Sequence, residues 1–176
     1  MKIILIGFRA TGKTTVGKKL AELLSIPFLD LDEYIVKKAG KTISEIVEEK
    51  GWPAFRELEK EALFEMSKKD NLVLALGGGA VMHADEMDLI KANSSVIWLK
   101  SHPEIILKRL SEDEKTCAFR PALTDKDLAE EISLLLSKRE PLYEKYADLT
   151  VETDHKAPQE IAEEIFFSLK QSRALN

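Results

Sequence analysis

The sequence predicts an α/β fold in which a mostly parallel sheet is covered by helices on both faces. Short apolar segments of strand length alternate along the chain with longer segments of helical periodicity. Such alternation favours right-handed crossovers between parallel strands. The length of 176 residues fits one domain with a substantial core. Ligands of such sheets bind at the carboxyl ends of the strands, so the loops that follow the strands are the first place to look for a site.

Five apolar segments are predicted as strands, at residues 2–6, 27–29, 72–76, 95–99 and 148–151. Helical periodicity predicts the segments between and after them as helices, at residues 13–24, 33–38, 43–50, 53–68, 84–91, 103–110, 125–146 and 158–170. Two local signals support the boundaries. Thr42 and Glu45 form a capping-box pattern, and Pro53 suits the first turn of a helix.

Composition limits the classes of partner. The net charge of −5 disfavours a broad basic surface for nucleic acid or anionic lipid. A single cysteine, Cys117, and the lack of a Cys/His ligand pattern disfavour a disulfide framework and a zinc site, so any metal would have oxygen ligands. No secretory pattern or membrane-length apolar run occurs, and we therefore expect a cytoplasmic protein. We also expect a monomer.

Residues 7–15 read GFRATGKTT and match the Walker A pattern of phosphate-binding loops. The loop follows the first predicted strand and opens a predicted helix, which is the context that this motif requires. Its backbone N–H groups and the positive end of the helix can hold phosphate. Lys13 can reach the transferred phosphate, the Thr14 hydroxyl can bind Mg²⁺, and Thr15 continues the helix as a further candidate phosphate contact.

Other features narrow the class of phosphate-binding protein. The guanine-reading pattern Asn-Lys-x-Asp of GTPases is missing, and residues 72–76 end in glycines rather than in the metal-binding Asp of many ATPases. A metal-supporting carboxylate is therefore expected after the second strand. There, Asp30 and Asp32 would point the same way from an extended segment, one toward Mg²⁺ and the other toward a substrate hydroxyl. The alternative is a turn with Asp32 as a helix N-cap.

The ordered set of motifs resembles the shikimate kinase family over roughly the whole chain. The motifs are residues 7–15, Asp30-x-Asp32, Phe55-Arg56-x-x-Glu59, Gly77-Gly78-Gly79, Arg120-Pro121 and Arg139-x-x-x-Tyr143. The resemblance implies a P-loop, nucleoside monophosphate kinase-like three-layer fold with a five-stranded parallel sheet and a lid. It also implies transfer of the ATP γ-phosphate to the 3-hydroxyl of shikimate, with Mg²⁺, as a step of chorismate and aromatic amino-acid synthesis.

The resemblance assigns roles to individual residues. Lys13, Asp32 and Arg120 are expected to be catalytic, with Asp32 as the proposed base. The substrate would contact Asp32, Arg56, Gly77, Gly78, Gly79 and Arg139, with the two arginines on its carboxylate. The nucleotide would contact Ala10, Thr11, Gly12, Lys13, Thr14, Thr15, Arg109 and Arg120, and the metal would contact Thr14 and Asp30. One domain, residues 1–176, would contain a substrate-binding segment at about 31–60 and a lid at about 110–124.

Several alternatives remain open from the sequence. Arg56 could be a surface pair with Glu59, Arg109 an exposed charge at a helix end, and His83 a cap or surface residue. Ala10 stands where many family members carry glycine, which implies a loop conformation that alanine tolerates. Two other functions are also considered: a gluconate or other small-polyol kinase of the same fold, and a regulatory module that binds ATP and shikimate without turnover.

Overall fold

A five-stranded parallel sheet forms the centre of the molecule. The computed structural model describes residues 1–112 and 127–174, with side chains up to residue 171. The strands are β1 (Lys2–Ile6), β2 (Phe28–Asp30), β3 (Leu72–Ala75), β4 (Ser95–Lys100) and β5 (Leu149–Glu152). Their order across the sheet is β2-β3-β1-β4-β5, and every pairing is parallel. The predicted sheet is therefore confirmed, and strand ends differ from the predicted ones by at most one residue.

Helices cover both faces of this sheet. They are α1 (Lys13–Leu24), α2 (Leu31–Ala39), α3 (Ile43–Ser67), α4 (Ala84–Lys91), α5 (Pro103–Glu112), α6 (Leu128–Tyr146) and α7 (Pro158–Ala174), with a 3₁₀ turn at Ala80–Met82. The bounds of α1 and α4 agree with the sequence prediction. Helix α2 begins two residues earlier than predicted, at Leu31, because the Asp30 side chain caps its first turn.

The two predicted helices at 43–50 and 53–68 are one helical segment with a break. Gly51 inside α3 has φ 77 and ψ 169, a conformation that interrupts the helix. Pro53 follows the break and occupies the first turn of the second half, where a missing N–H disrupts no helical hydrogen bond. The capping box is confirmed, because Thr42 and Glu45 each bond the backbone N–H of the other.

Alternation along β1 divides the interior into two cores. Ile4 and Ile6 pack with buried residues of α2, α3, α4 and α6 on one face. Ile3 and Leu5 pack with α1 and α7 on the other. Each face of the strand is therefore buried, as expected for a parallel sheet between helical layers. No described helix has the length and apolar character needed to cross a membrane.

The strand order sets the position of the candidate site. Because β1 lies between β3 and β4, the connections that leave the carboxyl end of β1 diverge from those of its neighbours, which opens a crevice there. The loop after β1, the start of α2 after β2 and the turn after β3 all lie at this edge. Functional residues were predicted on all three of these segments.

Candidate active site

The loop of residues 7–12 joins β1 to α1 and has the properties of a phosphate-binding loop. Gly12 is the N-cap of α1 with φ 90, and no side chain caps the first turn, which leaves backbone N–H groups for an anion. Lys13 folds over the loop and donates from Nζ to the carbonyl oxygens of Gly7 at 2.8 Å and Phe8 at 2.7 Å. A Cβ on Gly7 would clash with the Leu99 carbonyl oxygen, so glycine is required there.

Ala10 keeps a glycine-like backbone. The sequence analysis expected a conformation that alanine tolerates, but the φ of Ala10 is 61, in the left-handed region. An L-residue occupies this region at a cost of about 1 kcal/mol. The expectation is therefore corrected: the loop retains the left-handed geometry, and the alanine is strained to fit it. Thr11 closes the turn by donating its hydroxyl to the Phe8 carbonyl over 2.8 Å.

Arg109 is tied to the loop rather than exposed at a helix end. Its Nη1 donates to the Ala10 carbonyl and to the Thr153 hydroxyl, each at 3.2 Å, and its Nη2 donates to the Thr153 carbonyl at 3.0 Å. The alternative of an exposed charge is wrong. Arg109 joins the phosphate-binding loop to the segment after β5, and its contact with the nucleotide base stays a prediction.

Thr14 and Asp30 place two oxygen-bearing side chains in contact next to this loop. The Thr14 hydroxyl donates to Asp30 Oδ2 over 2.7 Å. The other oxygen, Oδ1, accepts from the backbone N–H groups of Asp32 at 3.0 Å and Glu33 at 3.4 Å. A hydroxyl and a carboxylate in contact are the ligand types that a hard divalent cation prefers, so the pair fits a magnesium ion.

The same contacts correct the predicted backbone of this segment. Asp30 and Asp32 do not lie on one extended segment, because β2 ends at Asp30 and Asp32 belongs to the first turn of α2. The alternative with Asp32 as the N-cap is also wrong, since Asp30 is the capping residue. An Asp side chain that accepts two backbone N–H groups favours the start of a helix over continuation of a strand.

Three glycines after β3 bring the predicted substrate residues together. A Cβ on Gly77 would lie 2.8 Å from Glu59 Oε1 and 3.0 Å from Asp32 Oδ1, and a Cβ on Gly79 would lie 2.6 Å from Arg56 Nη1. Neither glycine has a positive φ in the left-handed region. The glycines are therefore needed for close approach, and the structure brings Asp32 and Arg56 to the same turn, as the sequence analysis expected.

Gly78, between them, joins this turn to two further parts of the site. A Cβ added to Gly78 would lie 3.3 Å from the backbone nitrogen of Arg9 in the phosphate-binding loop and 3.6 Å from Arg139 Nη1 of α6. The turn therefore adjoins both the phosphate-binding loop and the guanidinium group of Arg139.

Arg56 pairs with a buried carboxylate. Its Nη1 donates to Glu59 Oε2 over 2.5 Å, and the side chain of Glu59 is only 1% exposed. The pair that the sequence allowed on a surface therefore exists inside the site, and the surface interpretation is wrong. The Nε2 atom of His83 lies 2.8 Å from the same oxygen, Glu59 Oε2.

His83 occupies the expected cap position but is buried rather than at the surface. Its backbone is the N-cap residue of α4, but its side chain makes no capping bond and is 7% exposed. Glu59 and His83 were not among the candidate site residues. One signal was available for Glu59. It is an acidic residue on the buried face of α3, where the other residues, Phe55, Ala62 and Leu63, are apolar.

Arg139 of α6 supplies a second guanidinium group. It is 5% exposed, and its Nε is buried without a hydrogen-bond partner among the described residues. Burial lowers its pKa, and the positive charge of Arg56 lowers the pKa further, against a favourable contribution from Tyr143. Arg56 and Arg139 carry like charges that disfavour each other, and the buried Nε of Arg139 has no described partner. Such a pair is suited to an anionic ligand that contacts both guanidinium groups.

Two further residues hold this region in place: Tyr143, which the motifs included without a role, and Arg9, which was missed. Tyr143, four residues after Arg139, donates its hydroxyl to the Gly78 carbonyl over 2.5 Å, and burial raises its pKa. Arg9 forms an ion pair with Glu131 of α6, whose side chain is 2% exposed. The Arg9 and Arg139 guanidinium groups lie 5.9 and 5.7 Å from the centroid of the Phe8 ring. These contacts fix α6 against the phosphate-binding loop.

Other predictions from the sequence concern residues that take no part in these contacts. Arg120 lies outside the described residues, as does most of the predicted lid at 110–124, so both stay predictions. Thr15 is an exposed residue of α1 and continues the helix as predicted.

Comparison with known proteins places the chain in context. A family model described as Shikimate kinase matches residues 9–170. The chain is 39% identical to the shikimate kinase of Rhodopirellula baltica over 163 residues, which cover 93% of this chain and 87% of that protein. It is 40% identical to the shikimate kinase of Enterococcus faecalis over 169 residues, 96% of this chain and 98% of that protein.

Solved structures agree with these matches. Shikimate kinase from Acinetobacter baumannii in complex with shikimate has a TM-score of 0.90 at 37% identity and covers 99% of this chain and 95% of that one. The Aquifex aeolicus shikimate kinase has a TM-score of 0.83 at 38% identity, covering 98% of each chain. A gluconokinase from Sinorhizobium meliloti, with a TM-score of 0.56 at 16% identity over 97% of this chain and 91% of that one, shares the fold alone.

Proposed function

This chain belongs to the shikimate kinase family, and we propose that its site transfers the γ-phosphate of ATP to the 3-hydroxyl of shikimate. The products are shikimate 3-phosphate and ADP. The fold is that of the P-loop, nucleoside monophosphate kinase-like proteins.

The observation that carries the proposal is the position of the Gly77–Gly79 turn. This turn adjoins the phosphate-binding loop at Arg9 and also adjoins the guanidinium groups of Arg56 and Arg139. A small ligand beside the turn would therefore have its anionic group at the arginines and a hydroxyl near the phosphates. Shikimate, with one carboxylate and three ring hydroxyls, has both groups.

Each residue has a role in this proposal. Lys13 exchanges its bonds to the Gly7 and Phe8 carbonyls for oxygens of the transferred phosphate. Arg56 and Arg139 bind the carboxylate, and Asp32, next to Gly77, accepts the proton of the attacking hydroxyl. Backbone N–H groups of residues 10–15 hold the remaining phosphate oxygens. Arg120, on the proposed lid at about 110–124, adds positive charge at the transferred phosphate and helps to exclude water.

A divalent cation is expected for a kinase of this family, and we propose that it is Mg²⁺ at Thr14 and Asp30. The ion would neutralise charge on the phosphates during transfer. The oxygens of this pair are already within 2.7 Å of each other. We further propose a single kinase domain over residues 1–176, with a substrate-binding segment at about 31–60, acting as a monomer in the cytoplasm where ATP is available.

A coupled assay of ADP release tests the function. With saturating Mg-ATP, we expect turnover with shikimate, little turnover with gluconate, and loss of turnover in Lys13→Ala and Asp32→Asn. Phosphorus NMR of the product should place the new phosphate on the 3-oxygen. No stimulation of ADP release by shikimate would overturn the proposal.

The same assay separates the alternatives. Faster turnover of gluconate than of shikimate would indicate a small-polyol kinase, for which the likeness to a gluconokinase offers only the fold. Tight binding of both ATP and shikimate without turnover would indicate a regulatory module. Retention of Lys13 and Asp32 at the site favours the enzyme over that module.

A further inference from the structure

We infer that His83 is a positioning residue for the substrate carboxylate, acting on Arg56 through Glu59. The inference rests on the proposed function, in which Arg56 binds that carboxylate. It concerns a residue that the sequence analysis interpreted as a cap or a surface residue, and that does not itself contact the proposed ligand.

The geometry places one carboxylate oxygen between two donors. Glu59 Oε2 lies 2.5 Å from Arg56 Nη1 and 2.8 Å from His83 Nε2. The other oxygen, Oε1, faces Gly77, where a Cβ would lie only 2.8 Å away. Both oxygens of Glu59 are therefore constrained, and the imidazole must present an N–H at Nε2 to this carboxylate.

Burial makes the second donor necessary. The side chain of Glu59 is 1% exposed, and that of His83 is 7% exposed, whereas that of Arg56 is 24% exposed. Arg56 thus lies at the boundary of the pocket, where it can turn toward a ligand. When a substrate carboxylate shares its guanidinium group, Glu59 loses part of its compensation and cannot turn to water, and such a loss is unfavourable. The N–H of His83, on the buried side, keeps Glu59 paired.

The backbone of His83 fixes the ring in this position. Its N–H donates to the Ala80 carbonyl at 3.1 Å, and its carbonyl accepts from the Met87 N–H at 2.9 Å. The residue is therefore held by the 3₁₀ turn before it and by the first turn of α4 after it. Since the 3₁₀ turn follows directly on Gly79, the imidazole is positioned by the same turn that lies against Arg56.

Two amide substitutions test whether an N–H group at the position of Nε2 is needed. The side chain of Gln places its NH₂ group near the position of the imidazole Nε2, and the side chain of Asn is one carbon shorter and does not reach that position. Both are polar and neither adds volume. His83→Asn should therefore lose the bond to Glu59, and His83→Gln should keep it.

We expect His83→Asn to raise KM for shikimate about tenfold, with kcat changed less than about twofold and KM for ATP unchanged. His83→Gln should stay within about twofold of the wild type in all three constants. A direct binding measurement is also available, because the Arg56 guanidinium lies 5.4 Å from the centroid of the Trp52 ring. Titration of the tryptophan fluorescence with shikimate, in which Trp52 is the residue next to Arg56, should show the same weakening in His83→Asn, in the absence of turnover.

A matched control is His102→Asn. His102 also bonds a carboxylate, with Nδ1 at 2.6 Å from Asp154 Oδ2, but it is 71% exposed and lies before α5. This variant should leave KM for shikimate unchanged. The inference is overturned if His83→Asn keeps the wild-type KM, if His83→Gln weakens binding as much as His83→Asn, or if the loss appears in kcat alone. None of these results would touch the proposed function, which instead fails if the wild-type protein shows no shikimate-dependent ADP release.

Discussion

The hydroxyl of Tyr143 donates to the carbonyl oxygen of Gly78 over 2.5 Å, inside the protein. Tyr143 is fully buried on α6, and Gly78 is the central residue of the glycine turn after β3. The bond spans 65 positions in the sequence and connects the helix that carries Arg139 to the turn that lies against Arg56. It therefore fixes the relative positions of the two guanidinium groups that we propose for the substrate carboxylate.

Tyr143→Phe tests this connection. The variant leaves the Gly78 carbonyl buried without its donor, so we expect a loss of about 1–3 kcal/mol in the free energy of unfolding, measured by urea denaturation. KM for shikimate should also rise, since the turn is released from α6. Tyr146→Phe is the matched control, because the Tyr146 hydroxyl makes only long bonds, donating to the Ala84 carbonyl at 3.5 Å and accepting from Lys145 Nζ at 3.3 Å. Equal losses in the two variants would contradict the assigned role.

Much of the fold could be predicted because its signals are local. The apolar runs of β1 and β4 and the periodicity of α1 and α4 depend on neighbouring residues only, and their bounds agree with the structure or differ by one residue. The break at Gly51 and the capping box at Thr42 were likewise visible in the sequence. Asp32 was found from the Asp-x-Asp pattern after the second strand, Arg56 and Arg139 were found through the family resemblance, and the structure brings all three to the Gly77–Gly79 turn.

The missed features depend on contacts between distant segments. Arg9 and Glu131 are 122 positions apart, and neither is unusual for a loop or a helix surface. Glu59 and His83 are of residue types that are mostly exposed or only partly buried, so their burial follows from packing of α3 against the turn before α4. The prediction of an extended backbone from Asp30 to Asp32 was wrong because strand continuation and helix capping compete there. The bonds that Asp30 accepts from the N–H groups of Asp32 and Glu33 end the strand.

Gly79→Ala should weaken substrate binding without unfolding the protein. The added Cβ would lie 2.6 Å from Arg56 Nη1, which is the far end of a flexible side chain and can move away. Movement would break the Arg56 bond to Glu59, and we expect KM for shikimate to rise about tenfold with a small change in thermal stability.

Gly40→Ala is a control with the opposite pattern. Gly40 ends α2 with φ 65, and a Cβ added there would have no other atom within 4 Å, so the substitution is strained without touching the site. It should lower the free energy of unfolding by about 1 kcal/mol and leave KM unchanged. Steady-state kinetics and thermal melts of the two variants together would show whether the glycine at 79 is needed for Arg56 or only for the backbone.

The stability of the protein should decrease as the pH rises from mildly acid to alkaline values, because one histidine loses its proton. The hydrogen bond from His102 to Asp154, together with the negative charge of Asp154, raises the pKa of His102 above the ordinary value of 6.5. A raised pKa in the folded state means that the protonated form is stabilised there, so this contribution is complete below pH 6.5 and is lost as the pH rises through the folded pKa. His102→Asn should flatten this part of the profile.

Melting temperatures measured from about pH 5.5 to 9 would check this prediction. The difference between the wild type and His102→Asn should be largest at the acid end and decline as the pH rises. His155→Asn serves as the control, since His155 is exposed, forms no ion pair with the described residues, and has a φ of 60 that asparagine tolerates. A difference that grows with pH would reverse the expected sign and contradict the assignment.

Asp30→Asn should raise the requirement for magnesium while leaving the helix start intact. Asparagine caps a helix about as well as aspartate, so the bonds to the Asp32 and Glu33 N–H groups and the fold should persist. The carboxylate charge beside Thr14 is lost, however, and with it a preferred ligand of the cation, so half-maximal ADP release should need about tenfold more free Mg²⁺. Asp127→Asn, at the N-cap of α6, makes the same change to a cap that bonds the Glu130 N–H and should leave the magnesium dependence unaltered. Because both variants keep a cap and lose one negative charge, a shift in Asp30→Asn alone would assign the effect to the metal, and equal curves would remove Asp30 from the proposed magnesium site.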